Sequence, residues 1–484
     1  MAINNFIIVF VVLIIAYFNI KKEYEKSVCI LGVSYVCLPA IKTGNGIALN
    51  SSYLLTLVCV MMILHIIVNK KIYIDKTAIQ YFVAMNMGLA VIGIALLVNG
   101  NPKWGDIIHF AGMEQYIVGV YSLVTLIKTH RLNKRVVFRK IITSVIILNY
   151  IIGMIQLFNW NLGEKITRQL YVYGGKDAPI NTMKNEVGRF TRIFGTFYSP
   201  TVLGVMSLIM LTFMAYELIS DEEKFAQNAI LYIASLGLGL LAFSKLTIIG
   251  VFLTWILEFV LLLMKRKIQF IRKHVRTLGM TILTFLVIGT LQCMIGLGPY
   301  VGYYYFKATN IKVALGSRYE NLIEGNYTEN TWETEKGDNG QKEIDQGEEI
   351  DQGEEIDQGE EIDQGEEKER HTGNLSDTFE IFKEHLFIGV GPGQVRNEFV
   401  GDSEYITLLH NGGGMCFVIY AVFYGGLIMG YYLQEKYQEL FILVTIGIGG
   451  ISMMIFSYSC IIPFLSFCIC VDKEEKILNE RNNC

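Results

Sequence analysis

The chain predicts an all-α polytopic membrane protein of about twelve or thirteen transmembrane helices, with a long extracytoplasmic loop between two late spans. Three observations predict it. Hydrophobic residues make up 52% of its 484 positions and charged residues only 18%, and mean hydropathy is +0.40. A soluble protein of two or three domains would be more polar, and here apolar runs recur along most of the chain.

Each crossing needs about twenty mostly apolar residues. Runs at 5–20, 27–41, 51–68, 78–98, 106–127 and 141–158 form an N-terminal bundle over 1–158. The first lacks a basic leader and a small-residue cleavage site, so a retained helix is expected rather than a signal peptide. A basic extracytoplasmic loop, 159–198, precedes central spans at 199–219, 227–244, 246–264 and 277–297, within 199–297. The long loop covers 298–407, and C-terminal spans fill 408–471. The first of these is 408–433; the stretch 439–471 is too long for one helix and contains Pro463, which predicts two. Residues 472–484 form a tail.

Short cytoplasmic loops carry excess Lys and Arg. The clusters KTHRLNKRVVFRK (128–140), KRKIQFIRKHVR (265–276), KKEYEK (21–26) and NKKIYIDK (69–76) fall on one side of the predicted topology. The loops 159–198 and 299–404 then face outward, and the tail faces inward. Eight of the nine cysteines lie in predicted spans and none in either outer loop, so no disulfide framework is implied. The CxC at Cys468 and Cys470 lies in an apolar helix without His or acidic neighbours, which reads as core rather than metal site.

Residues 343–366 are four consecutive copies of EIDQGE and hold twelve acidic residues. Without them the chain has 41 basic against 33 acidic residues, a net of +8 in place of −4. Such a repeat buries too little apolar surface to offset chain entropy, and its glycines interrupt any helix, so a disordered, solvated spacer is expected. The ligand order of a calcium loop is absent.

The loop 159–198 is basic on the side where basic residues are disfavoured, which points to an anionic ligand. Lys165, Arg168, Lys176, Lys184, Arg189 and Arg192 outnumber Glu164, Asp177 and Glu186. Ser199 is placed to cap the next helix, with Pro200 at its first position, turning free N–H groups outward. Arg189 and Arg192, one turn apart if helical, would add bidentate bonds to phosphate oxygens, or else touch headgroups or acidic residues of the long loop. Lys245, at the tight turn between 227–244 and 246–264, either snorkels to the interface or joins that anion site.

The long loop contributes Arg318, His371 and His385. Leu375, Phe379, Phe382 and Leu386 have helical spacing, so 375–387 is expected to be an amphipathic helix capped by Asn374. GVGPG (389–393) then demands a tight turn. His410 is the best acid–base candidate of the outer loops, with an interfacial helix cap as its alternative role. Glu114, an acid inside span 106–127, is either functional or paired to a neighbouring helix. No nucleotide-binding, metalloprotease or paired-carboxylate pattern occurs, so no cofactor or metal is expected and the substrate must arrive activated.

FTRIFGTFYSPTVLG (190–204), the turn at Ser244–Lys245, SRYENL (317–322) and FKEHLFIGVGPGQV (382–395) followed by His410–Asn411 resemble the signature segments of the O-antigen ligase and polymerase superfamily. The resemblance covers about 185–430. It implies a glycosyltransferase of the bacterial cytoplasmic membrane whose active site faces outside. The implied substrate is oligosaccharide linked through diphosphate to undecaprenol, transferred with inversion and without nucleotide or metal. It further implies a flippase and a chain-length regulator as partners, and no nucleic acid. By the resemblance, Arg189 or Arg192 with Lys245 holds the diphosphate and stabilises its leaving charge. His410 orients or deprotonates the acceptor hydroxyl, and Arg318 binds diphosphate or sugar. The family often has Arg where this chain has Lys245, which forfeits the guanidinium fork. In ligases the His–Asn pair precedes glycines at a fixed spacing, whereas Gly425 and Gly426 come later here, which tilts the expectation toward a polymerase. The competing class, a flippase or transporter, would show charged or Gly/Pro-broken helices in related halves.

Overall fold

The computed structural model describes residues 2–42, 48–69, 72–99, 102, 104–172, 178–186, 188–221, 223–264, 268–297, 383–392, 403–451 and 458–470. Among these are fifteen α-helices, and the strand content is one two-residue antiparallel pair, β1 (Ile41–Lys42) with β2 (Ala48–Leu49). The helices are α1 (Ala2–Ile20), α2 (Tyr24–Cys37), α3 (Ser52–Asn69), α4 (Lys76–Asn99), α5 (Trp104–Thr129) and α6 (Lys134–Phe158). After α7 (Trp160–Ile166) and α8 (Ala178–Glu186) come α9 (Pro200–Ser220), α10 (Phe225–Leu241), α11 (Lys245–Met264) and α12 (Ile268–Gln292). The last three are α13 (Glu404–Leu433), α14 (Tyr437–Gly449) and α15 (Ile462–Ile469). Eight described helices are long and apolar enough to cross a membrane, and four further apolar helices are shorter. The protein is a multi-pass, all-α membrane protein.

The apolar runs become helices because every backbone polar group must be satisfied inside hydrocarbon, and a helix does so within one segment. Side chains such as Phe6, Val98, Leu286 and Val422 stay exposed on the periphery, as suits a surface facing acyl chains. α9 is enclosed by its neighbours and forms the centre of the bundle, against α10, α11, α12 and α14. α4 packs along α13, with Gly88 accommodating the Tyr420 ring.

As expected, the described residues of 439–471 form two α-helices, with Pro463 in the first turn of the second, as a residue lacking an N–H tolerates. Other boundaries differ from the sequence expectation. α13 starts at Glu404 rather than near 408, so His410 lies inside a helix instead of at the loop edge. The loop 159–198 contains two short helices that its polarity concealed. The repeat at 343–366 lies outside the described residues.

Hydrogen bonds sort the helix ends into two groups. One end joins Asn4 to Ala40 O and Gln169 O, Arg192 to Ala242 O, Asn99 to Ile388 O and Gly389 O, and Tyr198 to Tyr458. The other end holds the start of α6 against α14 and α15. There Lys134, 3% exposed, donates to Glu439 Oε1 at 2.5 Å and Cys470 O at 2.9 Å, under the Phe467 ring. Arg135 donates to Gln438 Oε1 (3.1 Å), whose amide donates to Glu217 Oε1 (2.9 Å). All four basic clusters have described residues at this second end: Lys140 pairs with Glu25, Tyr73 N–H donates to Thr129 Oγ1 and Lys273 donates to Ile219 O.

Candidate functional site

The segment 188–199 is irregular, and buried side-chain amides shape it. Gln156 and Asn149 lie seven residues apart on α6 and are fully buried, so both face the same side of the helix. Gln156 Oε1 accepts from the N–H groups of Phe194 (2.8 Å) and Gly195 (3.0 Å). Gln156 Nε2 donates to Thr167 Oγ1 (2.8 Å) and Gly195 O (3.3 Å). Asn149 Oδ1 accepts from Thr196 N–H (2.8 Å) and Thr196 Oγ1 (3.2 Å). Backbone groups that no helix or sheet satisfies thus find partners within the apolar bundle. Gly195 adopts φ 57°, and a Cβ there would overlap Asn149 Oδ1, so only glycine fits.

This clamp sets the direction of the two arginines. They are not one helical turn apart, because 188–193 is a succession of bends. Arg192 is half-buried and donates from Nε to Ala242 O (2.8 Å), while Ile193 N–H donates to Leu241 O (3.1 Å). The segment is therefore stitched to the α10–α11 turn, three residues before Lys245 opens α11. That turn reverses direction through Phe243, at φ 47°. Arg189 is exposed and donates from Nη2 to Gly296 O (3.0 Å) in the turn that ends α12. Ser199 caps α9 by accepting from Thr201 N–H (3.3 Å), with Pro200 next. Arg189, Arg192, the first residue of α11 and the start of α9 accordingly share one corner of the bundle. Two helix N-termini there carry partial positive charge, the setting in which anions bind.

The same loop folds back on itself. Glu164, on α7, takes hydrogen bonds from Arg168 (2.8 Å) and Lys184 (3.4 Å). Burial would raise its carboxyl, but the bonds and charges of Arg168 and Lys184 outweigh that and hold it below the ordinary carboxylate value. Lys42 reaches the loop from β1 by donating to Arg168 O (2.8 Å).

His410 and Asn411 occupy the second half of this end. His410 is 1% exposed, and its Nδ1 lies 3.0 Å from Asn411 Oδ1. Three residues later α13 breaks at Gly413, with φ 66° and ψ −168°, a combination essentially confined to glycine. The break turns carbonyls away from the helix, and the segment 386–391 takes them up. Val390 N–H donates to His410 O (2.9 Å) and Gly391 N–H to Asn411 O (3.0 Å), while Gly414 N–H donates to Leu386 O (2.8 Å). Asn99, the last residue of α4, secures the same segment through Ile388 O (3.1 Å) and Gly389 O (2.9 Å). His410 is therefore not a helix cap; that position is Ser403. α14 ties this half to the first, since it packs on α9 and its last residues meet Glu404 N–H at Gly450 O (2.8 Å).

Of the other expected residues, Arg318, His371 and Asn374 lie outside the described ones. The described end of the expected 375–387 helix is Lys383–Glu384, and the chain leaves helical conformation at His385. Glu114 lies within α5 beside Asn86 of α4. Gly412–Gly414 directly follow the pair and are closely packed, whereas a Cβ on Gly425 or Gly426 would meet nothing within 4 Å. Asn149, Gln156 and Asn99 were absent from the sequence reading; the signal for the first two was a pair of amides at heptad spacing in an otherwise apolar span. No family model, curated protein or solved structure matches the chain.

Proposed function

We propose that this chain is a polysaccharide polymerase of the bacterial cytoplasmic membrane. It transfers a growing glycan from undecaprenyl diphosphate to a sugar hydroxyl of another lipid-linked repeat unit, building capsule or O-antigen. The observation that carries the reading is the corner where Arg189, Arg192, the start of α9 and the first residue of α11 meet. A leaving diphosphate needs a preorganised cationic site, the task that a bound metal performs in other transferases.

In this reading α1 to α6 and α9 to α15 make thirteen crossings. The end carrying 21–26 and 128–140 faces the cytoplasm, so the Arg192 corner and His410 face outside. The anomeric C–O bond to diphosphate breaks as the acceptor oxygen bonds to that carbon from the opposite face. Arg189, Arg192 and Lys245 take the negative charge of the departing diphosphate. His410, held against Asn411, receives the acceptor hydroxyl proton, and Arg318 approaches from the long loop. Handing the finished chain to a different acceptor would use the same donor chemistry, which is the ligase reading.

Purified protein incubated with lipid diphosphate-linked repeat units, its products resolved on a gel, tests this. A ladder is expected. Transfer to an added acceptor without lengthening would replace the polymerase with a ligase, and absence of any transfer would favour transport of the lipid-linked unit.

A further inference from the structure

Far from the arginine corner, two buried titratable side chains take no part in the proposed reaction: Glu258 of α11 and His274 of α12, 6% and 0% exposed. They face each other at the end of the bundle that carries the basic clusters. Reciprocal bonds fix the imidazole. His274 Nε2 lies 3.1 Å from Trp255 O, Trp255 Nε1 donates to His274 O (3.3 Å), and the indole stacks on the imidazole at 4.9 Å between centroids. A carbonyl oxygen can only accept, so Nε2 carries a hydrogen. Nδ1 is left to face Glu258 Oε2, at 3.6 Å.

In its neutral form this tautomer presents a lone pair to the carboxyl group, and a carboxylate opposite it would be a buried charge without compensation. The described surroundings direct their polar groups elsewhere. Lys273 of α12 donates to Ile219 O on α9 (3.2 Å), and Arg135 and Gln438 both engage Glu217 of α9. From α10 comes Tyr232, bonded to Thr281 of α12 (2.6 Å). α9 and α14 supply Tyr216 and Tyr437, which share with Glu258 a hollow of about 10 Å³, room for one water at most. Glu435 and Lys436 precede α14; residues 265–267 and the Arg272 side chain lie outside the described ones. One proton resolves the contact. On Nδ1 it makes an imidazolium–carboxylate pair and on Oε2 a neutral acid beside a neutral base, both of zero net charge. With none the pair carries −1 in the bundle interior, and with two it carries +1.

We infer that Glu258 and His274 form a binding site for a single proton, which fastens α11 to α12 at the end of the bundle opposite the arginine corner. The assignment is independent of the transferase reading. It makes the α11–α12 contact sensitive to pH on the side that the basic clusters face.

Tryptophan fluorescence tests it, because Trp255 lies on the imidazole. The full-length chain has four tryptophans; replacing Trp104, Trp160 and Trp332 by Phe leaves Trp255 as the reporter. Raising the pH from 7 is expected to change its emission in one single-proton step. Glu258→Gln should abolish the step, since the amide N–H serves Nδ1 without titrating. The same step in both proteins, or none in either, overturns the inference. Unfolding in detergent gives a second readout. An unfolded chain with ordinary values near 4.3 for Glu and 6.5 for His holds no proton on either residue above about pH 7.5, whereas the folded pair holds one, so stability falls as pH rises. Below the fluorescence step the unfolding constant should grow about tenfold per pH unit relative to Glu258→Gln; parallel dependence in the two proteins overturns the inference. His274→Phe, which keeps a ring on Trp255, should lower the unfolding midpoint at pH 7 by stranding the carboxylate, and adding Glu258→Gln should restore it. Equal midpoints in the single and double variants contradict a shared proton.

Discussion

Arg192 reaches its position through two amides on another helix. Gln156 and Asn149 hold the backbone at 194–196, and that backbone delivers the guanidinium to the α10–α11 turn. Two outcomes follow, and they separate chemistry from support. Arg192→Ala removes the proposed diphosphate contact, so repeat-unit joining should fall by about 10²–10³-fold, the loss typical of one charge-stabilising donor, with membrane insertion unchanged; full activity would sink the assignment. Gln156→Ala leaves the Phe194 and Gly195 N–H groups buried without their acceptor, costing about 1–3 kcal/mol, and should lower the thermal unfolding midpoint in detergent as well as activity. The arginines stand out in the sequence because basic residues are unexpected in a loop on that side of the predicted topology. Their geometry was not legible, since it depends on bonds spanning 38 to 50 residues to a segment with no periodicity. The arginine pair, one turn apart only if helical, instead points at two different helix ends.

At the scale of elements, the break in α13 organises the second half of the site. Apolar length alone read 408–433 as one span and put His410 at its edge, because a single left-handed glycine leaves no trace in hydropathy. Gly413→Ala must either abandon φ 66° or crowd Phe387 O and Gly389 N, which lie 2.6 and 2.7 Å from the added Cβ position. A strain of about 1–3 kcal/mol is expected, together with release of 386–391, measurable as faster amide exchange at Val390 and Gly391; unchanged protection would show that the break is not needed to hold them. The repeat at 343–366 is the opposite case, a conspicuous sequence whose composition reads as a spacer. Deleting 343–366 should leave repeat-unit joining intact in a properly inserted protein, and complete loss on the gel would overturn its reading as a spacer.

For the whole molecule, the two ends are built on different principles. One end concentrates irregular segments, broken helices and amide clamps around the site. The other is stapled by the buried Lys134–Glu439 ion pair and by hydrogen bonds of Lys134, Arg135 and Gln438 that join α6, α9, α14 and the end of α15. Removing one member of the buried Lys134–Glu439 pair strands its partner, so Lys134→Ala should cost about 3–5 kcal/mol in unfolding measurements while leaving the Arg192 corner unaltered in composition. The helical membrane fold was legible because hydrocarbon tolerates so few alternatives, and most predicted runs became helices within about four residues of their expected limits, whereas α6 and α12 begin at Lys134 and Ile268, well before the expected 141 and 277. Packing between helices was not, as it depends on small residues and polar pairs that hydropathy averages away. The central claim is that a glycan leaves its lipid diphosphate at the arginine corner, and the release of free undecaprenyl diphosphate during reconstituted turnover tests it most directly. One equivalent per repeat unit joined is predicted, falling with Arg192→Ala; relocation of intact lipid-linked units across the bilayer without any release would contradict it.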